Sequence, residues 1–305
     1  MHSSLVWALL LAAPFLAAPL LRSPERTGIE MTIRHTFSGN SSEQKYYFLA
    51  DRKRVESRNA VGQRSRNGST EWLSGPRLAM ITRCDLGQIY ELNLDAAEYQ
   101  SAAYPPKPWT KEEIETRKLT LPDFSPSAPR TIRIETTTVD TGERKEFFGH
   151  VARHVITTTK QIPLEGSQTE PQETLADGWY IDLHPQLSCD RSAPAGSRGH
   201  IYATSRGRPA ETPEFVDIGE RETGFPVQSV MTTKGSYKLP DGTRKELESK
   251  NETLVTELRE GPIDPSLFEI PAGFQRVEHI EREPRVAGSS SPLGEFWQRL
   301  KNLLD

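Results

Sequence analysis

From Gly28 to Leu258 this chain is written largely in a period of two, and that pattern most narrows what it can fold into. Gly28 to Phe37 places Ile29, Met31 and Ile33 on one face. Gln44 to Ser57 reads as one strand, with Tyr46, Phe48 and Ala50 on one side and Tyr47 and Leu49 on the other, turning basic at Arg52-Lys53-Arg54. Arg77 to Cys84 and Gln88 to Leu92 flank Asp85-Leu86-Gly87, a tight hairpin, since Asp and Gly supply the conformations such turns need. Another strand follows at Glu98 to Ala102. The β-branched runs Thr131 to Val139 and Val151 to Thr159 are strong strands, expected to be joined by a turn at Asp140-Thr-Gly-Glu-Arg144. Trp179, Ile181 and Leu183 alternate next. Val227 to Tyr237 and Arg244 to Leu258 close the series around Pro240-Asp241-Gly242. Hairpin-linked strands of half-apolar alternation make an antiparallel sheet with one buried face. A sheet of that size needs cover, from loops, a helix or a bound apolar ligand.

The second constraint is an apolar run without charge from Leu5 to Leu21. About 17 residues lie at the lower edge of a membrane span, and Pro14 and Pro19 interrupt it. Residues 1–22 are expected to be a cleaved signal peptide or a retained anchor, so the chain is expected to be exported, to the periplasm or the cell exterior. Residues 23–282 form the β domain. Residues 283–305 hold a linker and an amphipathic helix, in which Leu293, Phe296, Trp297, Leu300 and Leu304 share one face. Phe296, Trp297 and Leu300 are its candidates for meeting a partner. Other helical signal is confined to Thr110 to Lys118, a short surface helix at most. Two loops stand out, 103–130, rich in proline, and 184–224, rich in Ser, Pro, Gly and Arg.

Net charge is −4 with both signs interleaved, so nothing points to nucleic acid as a partner. Cys84 and Cys189 are the only cysteines; in an oxidising compartment they either pair or stay as two thiols. No motif for a serine nucleophile, a zinc site, a redox dithiol, a phosphate loop or a dinucleotide is present. His150 and His154 share a strand face but lie about 13 Å apart, too far to ligate one ion. Ser188-Cys189-Asp190 beside His184 offers a thiol but no oxyanion site. The run Asp51-Arg-Lys-Arg54 reads as a solvated strand face, with an acidic partner as the sharper alternative. No enzymatic activity and no cofactor are expected.

Several segments in order carry a resemblance: Asp51-Arg-Lys-Arg-Val-Glu56, Ile81-Thr-Arg-Cys-Asp-Leu-Gly-Gln-Ile-Tyr-Glu-Leu-Asn93, Ala97-Glu-Tyr-Gln100, Ala152-Arg-His-Val-Ile156, Asp177-Gly-Trp-Tyr-Ile-Asp-Leu183 and Asp264-Pro-Ser-Leu-Phe-Glu-Ile-Pro-Ala-Gly273. In these the chain is similar to exported bacterial proteins of unknown function with the lipoprotein-carrier (LolA/LolB-like) fold. The resemblance implies a mainly β chain with one large, strongly curved antiparallel sheet, a half-barrel whose concave side takes acyl chains in the known carriers. This chain has few helices to line such a cavity. The function expected is a non-enzymatic cell-envelope protein that holds an apolar or amphipathic, lipid-like ligand. Tyr46, Phe48, Met80, Tyr90, Trp179 and Ile181 are the candidates for the cavity wall; the plainer reading makes such residues ordinary core. The alternative is a membrane-tethered sensor or interaction module that binds an envelope protein, touching the membrane through the N-terminal segment.

Overall fold

The structure is a computed structural model that describes residues 27–282, except 38, 65–69, 108–109, 117–118, 121–124, 126, 186, 193–203, 206–210 and 240. The apolar run Leu5–Leu21 and the helix expected at 293–304, with Phe296, Trp297 and Leu300, lie outside the described residues. Among the described residues no helix is long and apolar enough to cross a membrane.

The first half is a meander of β1 (Thr27–Phe37), β2 (Asn40–Leu49), β3 (Arg52–Arg64), β4 (Thr70–Arg83), β5 (Gln88–Asn93) and β6 (Glu98–Ala103). A one-turn-and-a-half helix, α1 (Lys111–Thr116), and the two-residue β7 (Leu119–Thr120) follow. Thr110 caps α1: its hydroxyl accepts from the Glu113 N–H at 3.2 Å while the Glu113 carboxylate accepts from the Thr110 N–H at 2.7 Å. The second half contains β8 (Ile132–Phe147), β9 (His150–Pro163), β10 (Gln172–Ile181), β11 (Thr204–Ser205), β12 (Pro213–Ile218), β13 (Phe225–Lys238) and β14 (Arg244–Pro262), and β15 (Gln275–Arg276) ends the series. Thirteen strands form one open, curved sheet in the order β12-β8-β9-β10-β13-β14-β1-β2-β3-β4-β5-β6-β15. Every pairing is antiparallel except at the two margins, where β12 joins β8 and β15 joins β6 in parallel. Each long edge is thereby capped by a short strand, a common way to blunt an exposed edge.

The strands depart from the sequence reading at two turns. Gln44 to Ser57 is two strands, because the chain reverses at Ala50-Asp51, with Ala50 in the left-handed region at φ 50°. The turn expected at 140–144 is instead a bulge inside the β8–β9 pair, in which Asp140 accepts from the Gly142 N–H and from Arg144. The reversal comes later, at Phe148-Gly149. Both residues have positive φ, 52° and 81°, as a two-residue type I′ hairpin requires, and glycine meets that demand without strain.

The sheet is rolled. β10 and β13 separate β9 from β14 in the sheet order, so a flat sheet would hold them about 14 Å apart. Yet His150 Nε2 lies 2.9 Å from Glu260 Oε1. On the concave face, Met31, Ile33, Ala152, Ile181, Leu183, Val227 and Val255 form a buried cluster. On the opposite face of the first half, Leu49, Ala79, Ile81, Leu92 and Phe268 form a second. β2 shows the division within four residues, with Tyr46 and Phe48 packed on the first cluster and Tyr47 and Leu49 on the second. Both faces are therefore buried in part, at different places.

The outer cluster is closed by residues 263–274. Phe268 is fully buried there, in a 3-10 turn (Pro265–Phe268) capped by the Asp264 carboxylate. Arginines in the run expected to be solvated do the holding. Arg54 is only 6% exposed and donates to the Leu267 carbonyl at 2.9 Å and to Glu56 at 2.6 Å. Arg52 pairs with Asp85 and Glu269. Arg83, also buried, donates to both Asp85 oxygens and to Glu269, and it holds the Asp85 carboxyl below the usual carboxylate range. The solvated-face reading is thus corrected for Arg52 and Arg54: their acidic partners are in the same chain. A guanidinium carries five donors in a fixed fork, which suits it to reach carbonyl and carboxylate oxygens together under a packed segment.

Candidate functional site

The site is a cleft on the concave face. β1 and β2 supply its floor, Met31, Ile33, Tyr46 and Phe48, because alternation brings these four to one side and the β1–β2 register sets Met31 against Tyr46 and Ile29 against Phe48. The Tyr46 and Phe48 rings are parallel, with centroids 6.3 Å apart. Burial pushes the Tyr46 phenol above its ordinary range. One wall is Leu183, His184 and Pro185, and the other is Thr223, Gly224 and Phe225. The cavity measures ≈250 Å³ and is partly open to solvent. That lies just under the roughly 300–1,000 Å³ common for sites that enclose a whole small molecule. A cleft of this size and openness suits part of a longer apolar group.

The first wall belongs to a strap, residues 182–192, that crosses the concave face as a chord. Six strand spacings, roughly 28 Å, separate β10 from β4 along the sheet. Only eight residues lead from Ile181 to Cys189, which reach at most about 28 Å when fully extended, and the last of them enter a 3-10 turn (Ser188–Ser192). Cys189 is nevertheless bonded to Cys84, in the turn after β4, so the chord is shorter than the arc. The two cysteines are paired, with Cα atoms 5.6 Å apart, and Cys189 has no free thiol to act as a nucleophile. Further contacts hold the strap down. Leu187 is fully buried, the Ser188 N–H donates to Asp51 at 3.1 Å, Lys53 pairs with Asp190 at 3.8 Å, and the Tyr104 hydroxyl donates to Asp190 at 2.5 Å.

The hydrogen bond to Asp190 is the main reason the Tyr104 phenol is pushed up to about 12, with burial and the carboxylate charge adding to it. The neutral phenol is the donor, so the folded chain keeps this proton longer than the unfolded chain does. Its contribution to anchoring the strap is complete below the ordinary tyrosine pKa of 10.0 and is lost as pH rises through about 12. Phenolate absorbance is expected to show one tyrosine titrating late, and Asp190→Asn is expected to bring it back toward the others. A titration unchanged by Asp190→Asn would contradict this.

The second wall is set by Arg153, which donates to Asp182 at 2.6 Å and to Glu222 at 2.8 Å. Burial works against the Glu222 charge, but the Arg153 bond and the Gly224 and Thr223 N–H groups outweigh it and hold that carboxyl below its usual range. Gly224 permits the close approach. A Cβ there would stand 2.6 Å from the Ile181 carbonyl oxygen and 2.9 Å from an Arg153 nitrogen.

The six cavity candidates divide. Tyr46 and Phe48 line the cleft. Ile181 and Trp179 belong to the same concave cluster without lining the cleft. Trp179 stacks on His154 at 4.8 Å and lies 6.1 Å from Phe147, with the Lys145 ammonium 4.7 Å above the Phe147 ring. Met80 is on the concave side, in register with Val55 and so with Tyr46, but is 43% exposed. Tyr90 packs with the outer cluster and cannot line the cleft, because it pairs with Ile81, whose register sets it on the other face. The histidines of the His150–His154 pair have separate partners, Glu260 for the first and Asp177 and Glu143 for the second. Among the described residues no group of three or more His, Cys, Asp and Glu could hold a metal ion. Sequence reasoning missed His184, Pro185 and the 223–225 wall as cleft residues. His184, Pro185, Thr223 and Gly224 sit in irregular segments with no periodicity to mark them, and Phe225 opens β13; Met31, Ile33 and Leu183 follow the alternation but are not among the six candidates.

No protein-family model matches this chain, and no curated protein matches it. Among solved structures, a DUF1329 family protein from Desulfovibrio piger is similar at 10% identity, over 80% of this chain and 90% of its own, with a TM-score of 0.15. The Pseudomonas aeruginosa MucA/MucB complex is similar at 7% identity, over 78% of this chain and 94% of that one, with a TM-score of 0.11. Both likenesses are weak.

Proposed function

We propose that this protein is a non-enzymatic binding protein of the cell envelope that holds an amphipathic, lipid-like ligand on the concave face of its sheet. The observation that carries the reading is the cleft under the strap: an apolar floor of Met31, Ile33, Tyr46 and Phe48, open at one side, with a covalently tied segment across it. An apolar tail would replace water over that floor at about 0.8 kcal/mol per buried methylene, while the polar end stays in solvent. The Cys84–Cys189 bond supports the compartment, since structural disulfides persist in oxidising places outside the cytosol. The apolar run Leu5–Leu21 supports it too.

The test is a binding titration with cis-parinaric acid, a fluorescent fatty acid. Saturable binding is expected for the native chain. Phe48→Arg, which puts a charge on the cleft floor, is expected to weaken it by about ten-fold or more, roughly 1.4 kcal/mol. Equal binding by both chains would place the probe elsewhere and remove the cleft from the account.

A further inference from the structure

Beyond the concave cluster the long strands of the second half run on as a regular array with two unlike faces. β14, β13, β10, β9 and β8 are neighbours in that order, and their registers set residues in rows across the five strands. One face carries the row Glu248, Lys234, Glu173, Lys160 and Glu135, which alternates in sign. Lys234 lies 3.8 Å from Glu248, and Lys160 3.9 Å from Glu173. Such a face belongs in water, with each charge beside its opposite. The other face is different. Its central row is Ser249, Thr233, Thr174, Thr159 and Thr136. The row on one side runs from Asn251 through Met231 to Thr138, that on the other from Leu247 through Gly235 to Ile134, and neither holds a charged residue. Phe37, opposite Asn251, extends the first of these onto β1. No residue of the central row is buried, and neither apolar cluster includes one.

We propose that this uncharged face is where a second copy of the chain docks, sheet against sheet. Charge, hydroxyl chemistry and area all favour that occupant. No charge has to leave water when two such faces meet, whereas the opposite face would bury its whole alternating row. A hydroxyl can donate or accept, and Thr174 and Thr233 already share such a bond at 3.0 Å. A row of threonines is therefore its own complement in a two-fold pair. Five strands and three rows span roughly 24 by 20 Å, about 500 Å² on each copy. A pair of such faces covers about 1,000 Å², the lower limit for a specific interface. Phe37, Met231 and Leu247, exposed by 54%, 39% and 52%, lie on this face and would leave water in such a pair. This docking does not depend on what the cleft binds.

The experiment is sedimentation equilibrium of the full chain across a wide range of protein concentration. The expected result is a reversible monomer–dimer equilibrium. Thr174→Lys, which puts a charge at the centre of the face, is expected to weaken the dimer about ten-fold or more. Thr233→Lys, its neighbour in the row, should do the same. Thr158→Lys, on the opposite face of the same sheet, should leave the equilibrium unchanged, and so should Thr174→Ser, which keeps the hydroxyl. Circular dichroism checks that each variant is folded. A monomer at every concentration would overturn the docking. So would a dimer as tight in both lysine variants of the central row as in the native chain, or one weakened equally by Thr158→Lys.

Discussion

Replacing Cys84 and Cys189 together by serine is expected to destabilise the fold by about 2–5 kcal/mol. The bond closes a loop with a sequence separation of 105, for which the chain-entropy account gives about 4.7 kcal/mol. The strap keeps Leu187, Tyr104 and Lys53 as anchors, so the fold should survive and the loss should read as a lower urea midpoint at a similar slope. Proteolysis within 184–192 should accelerate in the variant, and cis-parinaric acid should bind more weakly because one wall of the cleft is no longer tied. An unchanged midpoint with unchanged protection of the strap would contradict the role given to the bond.

Phe268→Ala is expected to cost about 3–5 kcal/mol, the range for removing a fully buried aromatic side chain. Phe268 fills the outer cluster between Leu49, Ala79, Ile81 and Leu92, and its loss also loosens the segment whose carbonyls and Glu269 carboxylate receive Arg54 and Arg83. The two large effects differ in kind. Loss of Phe268 acts on the convex side, so below the variant's melting temperature binding on the concave side should persist. Loss of the disulfide should affect both stability and binding. Thermal unfolding beside a probe titration distinguishes them, and a Phe268→Ala chain that is folded but no longer binds would contradict the separation of the faces.

The period-two pattern made the sheet legible, because alternation is enforced wherever one face is buried. It also put Met31 and Ile33 on one face of the first strand and Tyr46 and Phe48 on one face of the second, and the β1–β2 register joins the two faces. It was blind to the break at Ala50-Asp51, where alanine takes a left-handed conformation without the Asn or Gly that would announce a turn. At 140–144 the opposite happened: Asp140 and Gly142 carry turn chemistry but serve a bulge. The buried arginines were illegible for a different reason. Nothing local to Arg52 or Arg54 shows that residues 263–274 return to cover them, a contact more than two hundred residues away in sequence. The cleft was half legible for the same reason, its floor periodic and most of its walls built from irregular chain.

Native mass spectrometry of protein purified without detergent from its own host tests the central claim most directly. The account predicts that a fraction of the protein carries a non-covalent adduct, that the adduct extracts into organic solvent as an acyl-chain amphiphile, and that Phe48→Arg abolishes it. Bare polypeptide in every charge state, together with no saturable uptake of cis-parinaric acid, would contradict a ligand-holding role for the concave face.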